Sequence, residues 1–212
     1  MVEYLTNKDL SNIVKLYEDR YSKHGDNYKT VGWGSKTDQI LRFDMLCRGL
    51  NLEGRRILDV GCGLGDLVAF IDNKTNGNFS YTGIDLTSSL IESAKKKFKQ
   101  PNVHFACCDV STFTENKNFD IALLSGALNF KIDDNIGYSQ SIISKLFKLT
   151  KETVSVNFLS SYVDYQEDKN FHHSPEEVFH YAKSLSKWVN LYHDYPLWEF
   201  TMQIHHNSIK RR

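Results

Sequence analysis

The chain has 212 residues, 41% of them hydrophobic, and its 26 basic and 26 acidic side chains balance to zero formal charge. That size fits one globular domain with a full core, and a neutral balance gives no general attraction to nucleic acid or to a membrane surface. No stretch approaches the ~20 apolar residues of a membrane span, and the N-terminus lacks a signal-peptide core, so a cytoplasmic location is expected. Four cysteines, Cys47, Cys62, Cys107 and Cys108, form no Cys-x-x-Cys pair and are expected as reduced thiols in or near the core. In the first 50 residues, Leu10, Ile13, Val14, Tyr17 and Tyr21 recur at helical spacing and predict a helix over 8–21. A loop rich in glycine and aromatics follows over 24–35. A second helix is predicted over 37–49, with Ile40, Phe43 and Leu46 on one face.

Residues 57–67, Ile-Leu-Asp-Val-Gly-Cys-Gly-Leu-Gly-Asp-Leu, carry the most information. Ile57, Leu58 and Val60 supply the apolar run of a strand covered on both faces. Gly61, Gly63 and Gly65 let the backbone turn tightly and leave room for a ligand, and Leu67, Val68 and Ile71 mark one face of the next helix. A dinucleotide fingerprint would need a small residue where Asp66 stands, and no Gly-Lys-Ser/Thr follows to make a phosphate loop. Asp59 and Asp66 flank the turn and would repel a pyrophosphate at the helix N-terminus. They suit a ligand with cationic groups and no phosphate, such as S-adenosylmethionine with its sulfonium and amine.

A short strand over 81–85 ends in Asp85, with Leu86 beside it. A carboxylate there either caps the following helix or accepts both hydroxyls of a ribose. Thr87 is the expected N-cap of a helix that turns Leu90, Ile91, Ala94 and Phe98 inward. A third strand, 103–108, runs into Asp109 and Val110, where the acid can accept an exocyclic amine and Val110 can pack on a base. A fourth, 119–124, ends in the small pair Ser125 and Gly126.

Beyond it, Ile142, Ile143, Leu146 and Phe147 predict a helix, 154–158 a fifth strand, and 160–174 an irregular aromatic insertion. Pro175 opens another helix with Val178, Phe179, Ala182 and Leu185 inward. Two β-like runs, 188–195 and 198–206, close the chain across Pro196. In the second, Trp198, Phe200, Met202 and Ile204 alternate with Glu199, Thr201, Gln203 and His205, as in an antiparallel pair at one side of a sheet. The basic end, 210–212, reads as a frayed tail.

The four segments from 57 to 130 resemble, in order and spacing, the class I S-adenosylmethionine-dependent methyltransferases of the small stand-alone bacterial type. The resemblance continues loosely to the C-terminus through element order. It implies an α/β, Rossmann-like fold: a seven-stranded, mostly parallel sheet, five strands parallel and a C-terminal antiparallel hairpin, with helices on both faces. It divides a single domain into a helical lid (1–50), a cofactor core (51–160), and a substrate-side insertion with closing strands (161–212). Gly61, Cys62 and Gly63 would line the methionine part of S-adenosyl-L-methionine, and Asp85 and Leu86 would hold the ribose. Asp109 and Val110 would meet the adenine, Ser125 and Gly126 would border the sulfur, and Asp59 would orient the loop. Trp33, in an N-terminal segment of the kind that covers the cleft in this family, would shield the cofactor. Arg42 is either a partner of the methionine carboxylate or a plain surface charge.

The acceptor leaves a weaker trace. Ser125-Gly126-Ala127-Leu128-Asn129-Phe130 is not the Asn/Asp-Pro-Pro-Tyr/Phe motif of enzymes that methylate exocyclic amines of bases or glutamine amides. With no basic balance and no appended RNA-binding domain, a small-molecule acceptor, methylated on oxygen or nitrogen, is expected. An RNA or protein acceptor, or a non-catalytic S-adenosylmethionine-binding partner protein, is the alternative. Tyr21 and His24 before strand one, and Asn129 after strand four, are candidate substrate contacts. Tyr165 and His172 in the insertion are candidates for both substrate contact and catalysis, since histidine titrates near neutrality. His172-His173 and His205-His206 lack companion ligands, so no metal is expected. Lys95, Lys96, Lys97 and Lys99 read as the solvated face of the helix after strand two.

Overall fold

The computed structural model describes residues 5–113 and 119–208, so the end at 210–212 lies outside the described residues. Elements follow in the order α1 (Asn7–His24), α2 (Lys36–Leu46), β1 (Arg56–Val60), α3 (Asp66–Thr75), β2 (Ser80–Asp85), α4 (Ser88–Lys97), β3 (Val103–Cys107) and β4 (Phe119–Ser125). Then come α5 (Asn135–Leu149), β5 (Thr150–Leu159), α6 (Pro175–Leu185), β6 (Trp188–Tyr192) and β7 (Glu199–His205). α1 starts at a capping box between Thr6 and Asp9 and runs three residues past the expected end, to a cap at Gly25. Pro175 stands in the first turn of α6, behind the N-cap Ser174.

The seven strands lie in the order β3-β2-β1-β4-β5-β7-β6. β1 to β5 are mutually parallel, and β7 pairs antiparallel with both β5 and β6. Only β7 therefore runs against the rest, and β6 at the edge points the same way as the central five. The strand order reverses between β1 and β4. A crevice opens at such a point beyond the carboxyl ends of the strands, because the connections leave to opposite sides.

Alternate residues of the central strands feed two apolar layers. Leu58, Val60, Ala122 and Leu124 pack with α5 and α6, while Ile57, Ile121 and Leu123 pack with Phe43 and Leu46 of α2 and with α3. Phe98, at the end of α4, joins the second layer through Phe105.

The antiparallel pair β7-β6 stands at one side of the sheet as expected, with β7 the inner strand of the two. The polar residues of β7, Glu199, Thr201, Gln203 and His205, are buried along with its apolar ones. Alternation reported the two faces correctly but not that both are covered. Partners meet most of the polar face: Asn157 donates to Thr201, Gln203 to the carbonyls of Leu46 and Arg48, and Arg42 pairs with Glu199, while the amide oxygens of Asn157 and Gln203 are buried without one. Cys47 and Cys62 are buried, and all four cysteines are free thiols. Among the described residues no helix is long and apolar enough to cross a membrane.

Candidate active site

The switch point between β1 and β4 holds a cavity of about 260 Å³. Its floor is the turn from β1 into α3. Gly63 has φ +53°, and a Cβ there would sit 2.7 Å from a methyl of Val31, so only glycine lets the N-terminal segment approach this closely. The Gly63 N–H donates to Asp85 Oδ2 at 2.9 Å, which ties the loop to the end of β2. Asp85 Oδ1 accepts the N–H of Thr87 at 2.9 Å. The Leu86 amide and the Thr87 side chain also act on this carboxylate, which faces the cavity and has further acceptor capacity for a ligand hydroxyl.

The opposite wall is the end of β4. Gly126 has φ +79°, and a Cβ there would meet the Trp33 ring at 2.7 Å. Trp33 therefore lies directly on the β4 turn, and the Arg42 guanidinium packs 4.3 Å from its ring centroid. Arg42 Nε reaches both oxygens of Glu199 at 2.8 and 2.9 Å, and Nη2 reaches one at 2.7 Å. Arg42 is thus not a plain surface charge: β7 holds it from behind, and its buried Nη1 has no partner. The Ser125 hydroxyl is buried and unpartnered in the same wall.

Charge sets what this cavity can take. Among its lining residues six are acidic (Asp59, Asp66, Asp85, Asp109, Glu167, Glu199) and three basic (Arg20, Arg42, Lys169). Burial pushes the Asp59 carboxyl up to about 7, against the stabilising hydrogen bond from the Tyr81 hydroxyl. Burial also raises Asp85, opposed by the amides of Thr87 and Gly63, and raises the Cys62 thiol. Asp66 is held by Gln39 and Lys97, at 3.0 and 2.7 Å. At the β1–α3 turn, Asp59, Asp66 and Asp85 face no cluster of cations, so that end is hostile to phosphates and fits a sulfonium and an ammonium. The unpartnered Arg42 Nη1 can take a carboxylate, and Asp85 can take ribose hydroxyls. The donor set fits S-adenosyl-L-methionine.

Of the positions singled out in the sequence, Trp33, Arg42, Asp59, Gly61, Cys62, Gly63, Asp85, Leu86, Asp109, Val110, Ser125, Gly126 and Asn129 all line this one cavity. Asp109 Oδ1 is engaged by the Ser111 amide, and Asn129 Oδ1 accepts the Leu159 amide. Tyr21, His24, Tyr165 and His172 do not line it, and their expected place at the acceptor pocket is corrected. The helical path of α1 continues to His24 and turns Ile13, Tyr17 and Arg20 to the cavity instead. The insertion folds back: Phe130 bridges Asn170, and Ser160 bridges His173. That fold-back brings Glu167, Lys169 and Asn170 to the rim, leaves Tyr165 77% exposed, and fixes His172 Nδ1 on the Ser160 carbonyl at 2.8 Å. Ile13 and Tyr17 were visible in the helical stripe and Arg20 was not, and Glu199 carried no local signal because its partner is 157 residues away. Lys97 pairs with Asp26 and Asp66, and Lys95 with Glu92, so two of the lysines in the run on α4 are tied to carboxylates.

Residues 51–206 match the family described as "Methyltransferase domain". A methyltransferase of Mycobacterium tuberculosis is 28% identical over 156 residues, covering 70% of this chain and 91% of that protein. A malonyl-[acyl-carrier protein] O-methyltransferase of Acetivibrio thermocellus is 31% identical over 110 residues, covering 51% of this chain and 38% of that protein. Among solved structures, the magnesium protoporphyrin IX methyltransferase of Synechocystis with bound S-adenosylhomocysteine superposes with a TM-score of 0.69 at 13% identity, over 94% of this chain and 100% of that one. The DhpI–S-adenosylhomocysteine complex gives 0.70 at 14% identity, over 96% and 97%. These two likenesses are of fold. With the family match over most of its length and a cleft of this chemistry at the switch point, the chain belongs to the methyltransferase family and is an S-adenosylmethionine-dependent methyltransferase of class I architecture.

Proposed function

We propose that the protein transfers the methyl group of S-adenosyl-L-methionine to an oxygen or nitrogen of a small-molecule acceptor. The observation that carries this is the roof of the cavity. α1 supplies Ile13, Tyr17 and Arg20 from one side, and the folded-back insertion supplies Glu167, Lys169 and Asn170 from the other. Two covers over about 260 Å³ suit a small molecule better than a strand of nucleic acid or a protein loop. The O-methyltransferase named among the relatives supports an oxygen acceptor.

The sulfonium supplies an activated methyl and an excellent leaving group, so the protein's part is alignment and exclusion of water. Asp85 would hold the ribose, Arg42 the methionine carboxylate, and Asp109 with Val110 the adenine end. Val31 and Trp33, packed on Gly63 and Gly126, would keep water from the sulfur side. The test is incubation with methyl-labelled S-adenosylmethionine and separate extract fractions: metabolites below 1 kDa, RNA, and protein. Label entering the small-molecule fraction is expected. Label confined to RNA or protein would overturn the acceptor class, leaving the methyltransferase assignment in place.

A further inference from the structure

Of the three cations lining the cavity, Arg20 alone has no carboxylate within 4.0 Å among the described residues. Arg42 is committed to Glu199 behind the cleft, and Lys169 to Glu167 at 2.7 Å. No acidic side chain among the described residues comes within ion-pairing distance of Arg20. It is nonetheless held in place. Its guanidinium lies 5.5 Å from the Tyr17 ring centroid, and its Nη1 sits 2.9 Å from where a Cβ on Gly32 would be. A cation stacked on an aromatic, pressed against lid backbone and partly buried, has lost rotamer freedom and some hydration, and the carboxylate it feels, Glu167, is already paired with Lys169.

The surroundings of Arg20 narrow the ligand further. Ile13, Tyr17 and Phe130 make an apolar and aromatic wall beside it, with Tyr17 and Phe130 edge to face at 5.8 Å. No histidine lines the cavity. Burial holds the Tyr17 hydroxyl up at about 12, and the Lys169 ammonium holds Glu167 below the usual carboxylate range, so neither is a base poised for neutral pH. Asp59, near 7, lies at the end of β1 bonded to Tyr81. An alcohol or ammonium acceptor must shed a proton during transfer, and the one lining carboxyl among the described residues that is held near neutrality, Asp59, is already bonded to Tyr81. An acceptor that is already an anion needs no base.

Resting on the small-molecule function proposed above, we infer that the acceptor is a carboxylic acid with an apolar or aryl body, anchored by Arg20 and methylated on its carboxylate oxygen. The oxygen forms a bond to the methyl carbon as the bond from that carbon to sulfur breaks. The carboxylate becomes a neutral ester and the sulfonium a neutral thioether, so charge cancels and no proton moves. The ester no longer pairs with Arg20, which favours its release.

The experiment titrates protein saturated with S-adenosylhomocysteine with three ligands of one body: 3-phenylpropanoate, 3-phenylpropanol and 3-phenylpropylamine. The carboxylate is expected to bind at least about tenfold tighter than the other two, the worth of one charge-assisted hydrogen bond. In Arg20→Gln that preference should fall within threefold, with Arg20→Lys between, while affinity for S-adenosylhomocysteine stays within threefold of wild type. With methyl-labelled S-adenosylmethionine, 3-phenylpropanoate should give label released as methanol by alkali. No preference for the anion, or a preference that survives in Arg20→Gln, overturns the inference. A tenfold loss of S-adenosylhomocysteine affinity in Arg20→Gln also overturns it, by giving Arg20 to the cofactor's carboxylate. Label from the extract experiment appearing only in macromolecules would instead remove the function on which it rests.

Discussion

Asp59 shows how one buried carboxyl links the cofactor loop to pH. It ends no helix and meets no cation; Tyr81 donates to it and Gly61 follows two residues on. In the unfolded chain it ionises near the ordinary 3.8, and in the fold near 7. Between those values the native state holds a proton that the unfolded state has released, so stability from this group is full below about 4 and falls as pH rises through 7. The gap caps the loss at about 4 kcal/mol. Asp59→Asn keeps the shape and an acceptor for Tyr81 without the titration. Urea denaturation at pH 4, 5.5 and 7.5 should show wild type losing stability relative to the variant as pH rises. A difference that stays level across that range would mean Asp59 is ionised in the fold. At this scale the sequence was legible where a role depends on neighbours in the chain: Gly61, Gly63 and Asp85 stand at strand ends that the apolar runs themselves define. The pairing of Arg42 with Glu199 was not legible, since an ion pair between α2 and β7 leaves no periodic trace in either segment. Nor was the placing of Tyr165 and His172, whose direction is set by how the insertion folds back on Phe130.

Among the elements, α2 is docked by polar groups of the sheet as much as by its apolar face. Its end is met by Ser155 of β5, which donates to the Leu46 carbonyl at 2.6 Å, and by Gln203 of β7, which donates to Leu46 and Arg48 at 3.3 and 3.0 Å. These carbonyls are among those a helix C-terminus leaves without intrahelical partners, and buried they must be satisfied by something. That is the physical reason β7 can carry a polar face inside the protein. The alternation of 198–206 was correctly read as a strand, but hydropathy assigns polar residues to solvent. It cannot register that a helix 157 residues earlier supplies the partners. β1 and β4 were legible because both of their faces are apolar. β7 was legible only in outline. Gln203→Ala should cost about 1–3 kcal/mol by stranding the Arg48 carbonyl, while Ser155 still holds that of Leu46, read as a lower urea midpoint at unchanged slope. Because α2 carries Arg42 against Trp33, the same variant should also weaken S-adenosylhomocysteine binding, while an exposed control such as Lys151→Ala should change neither.

For the whole molecule, the cofactor site is a joint between parts distant in sequence. β1 and β4 supply its floor, α1 and the segment at Val31 to Trp33 its roof, and β7 the anchor for Arg42. A ligand in that joint contacts each part only when all are in place, so binding should stabilise the fold as a unit. Linkage sets the size: S-adenosylhomocysteine at a hundred times its Kd adds about 2.7 kcal/mol. For a chain of this length that corresponds to about 5–10 °C in melting temperature. If Asp85 holds the ribose, Asp85→Ala should raise Kd roughly 10- to 100-fold, the worth of its hydrogen bonds at about 1–3 kcal/mol. The same ligand concentration is then only about one to ten times Kd, and the stabilisation shrinks to about 0.4–1.4 kcal/mol, or about 1–5 °C. Scanning calorimetry of both proteins with and without ligand measures all four values. A ligand shift in Asp85→Ala equal to that of wild type would take the ribose away from Asp85 and leave it a structural role, bonded to Gly63 and Thr87.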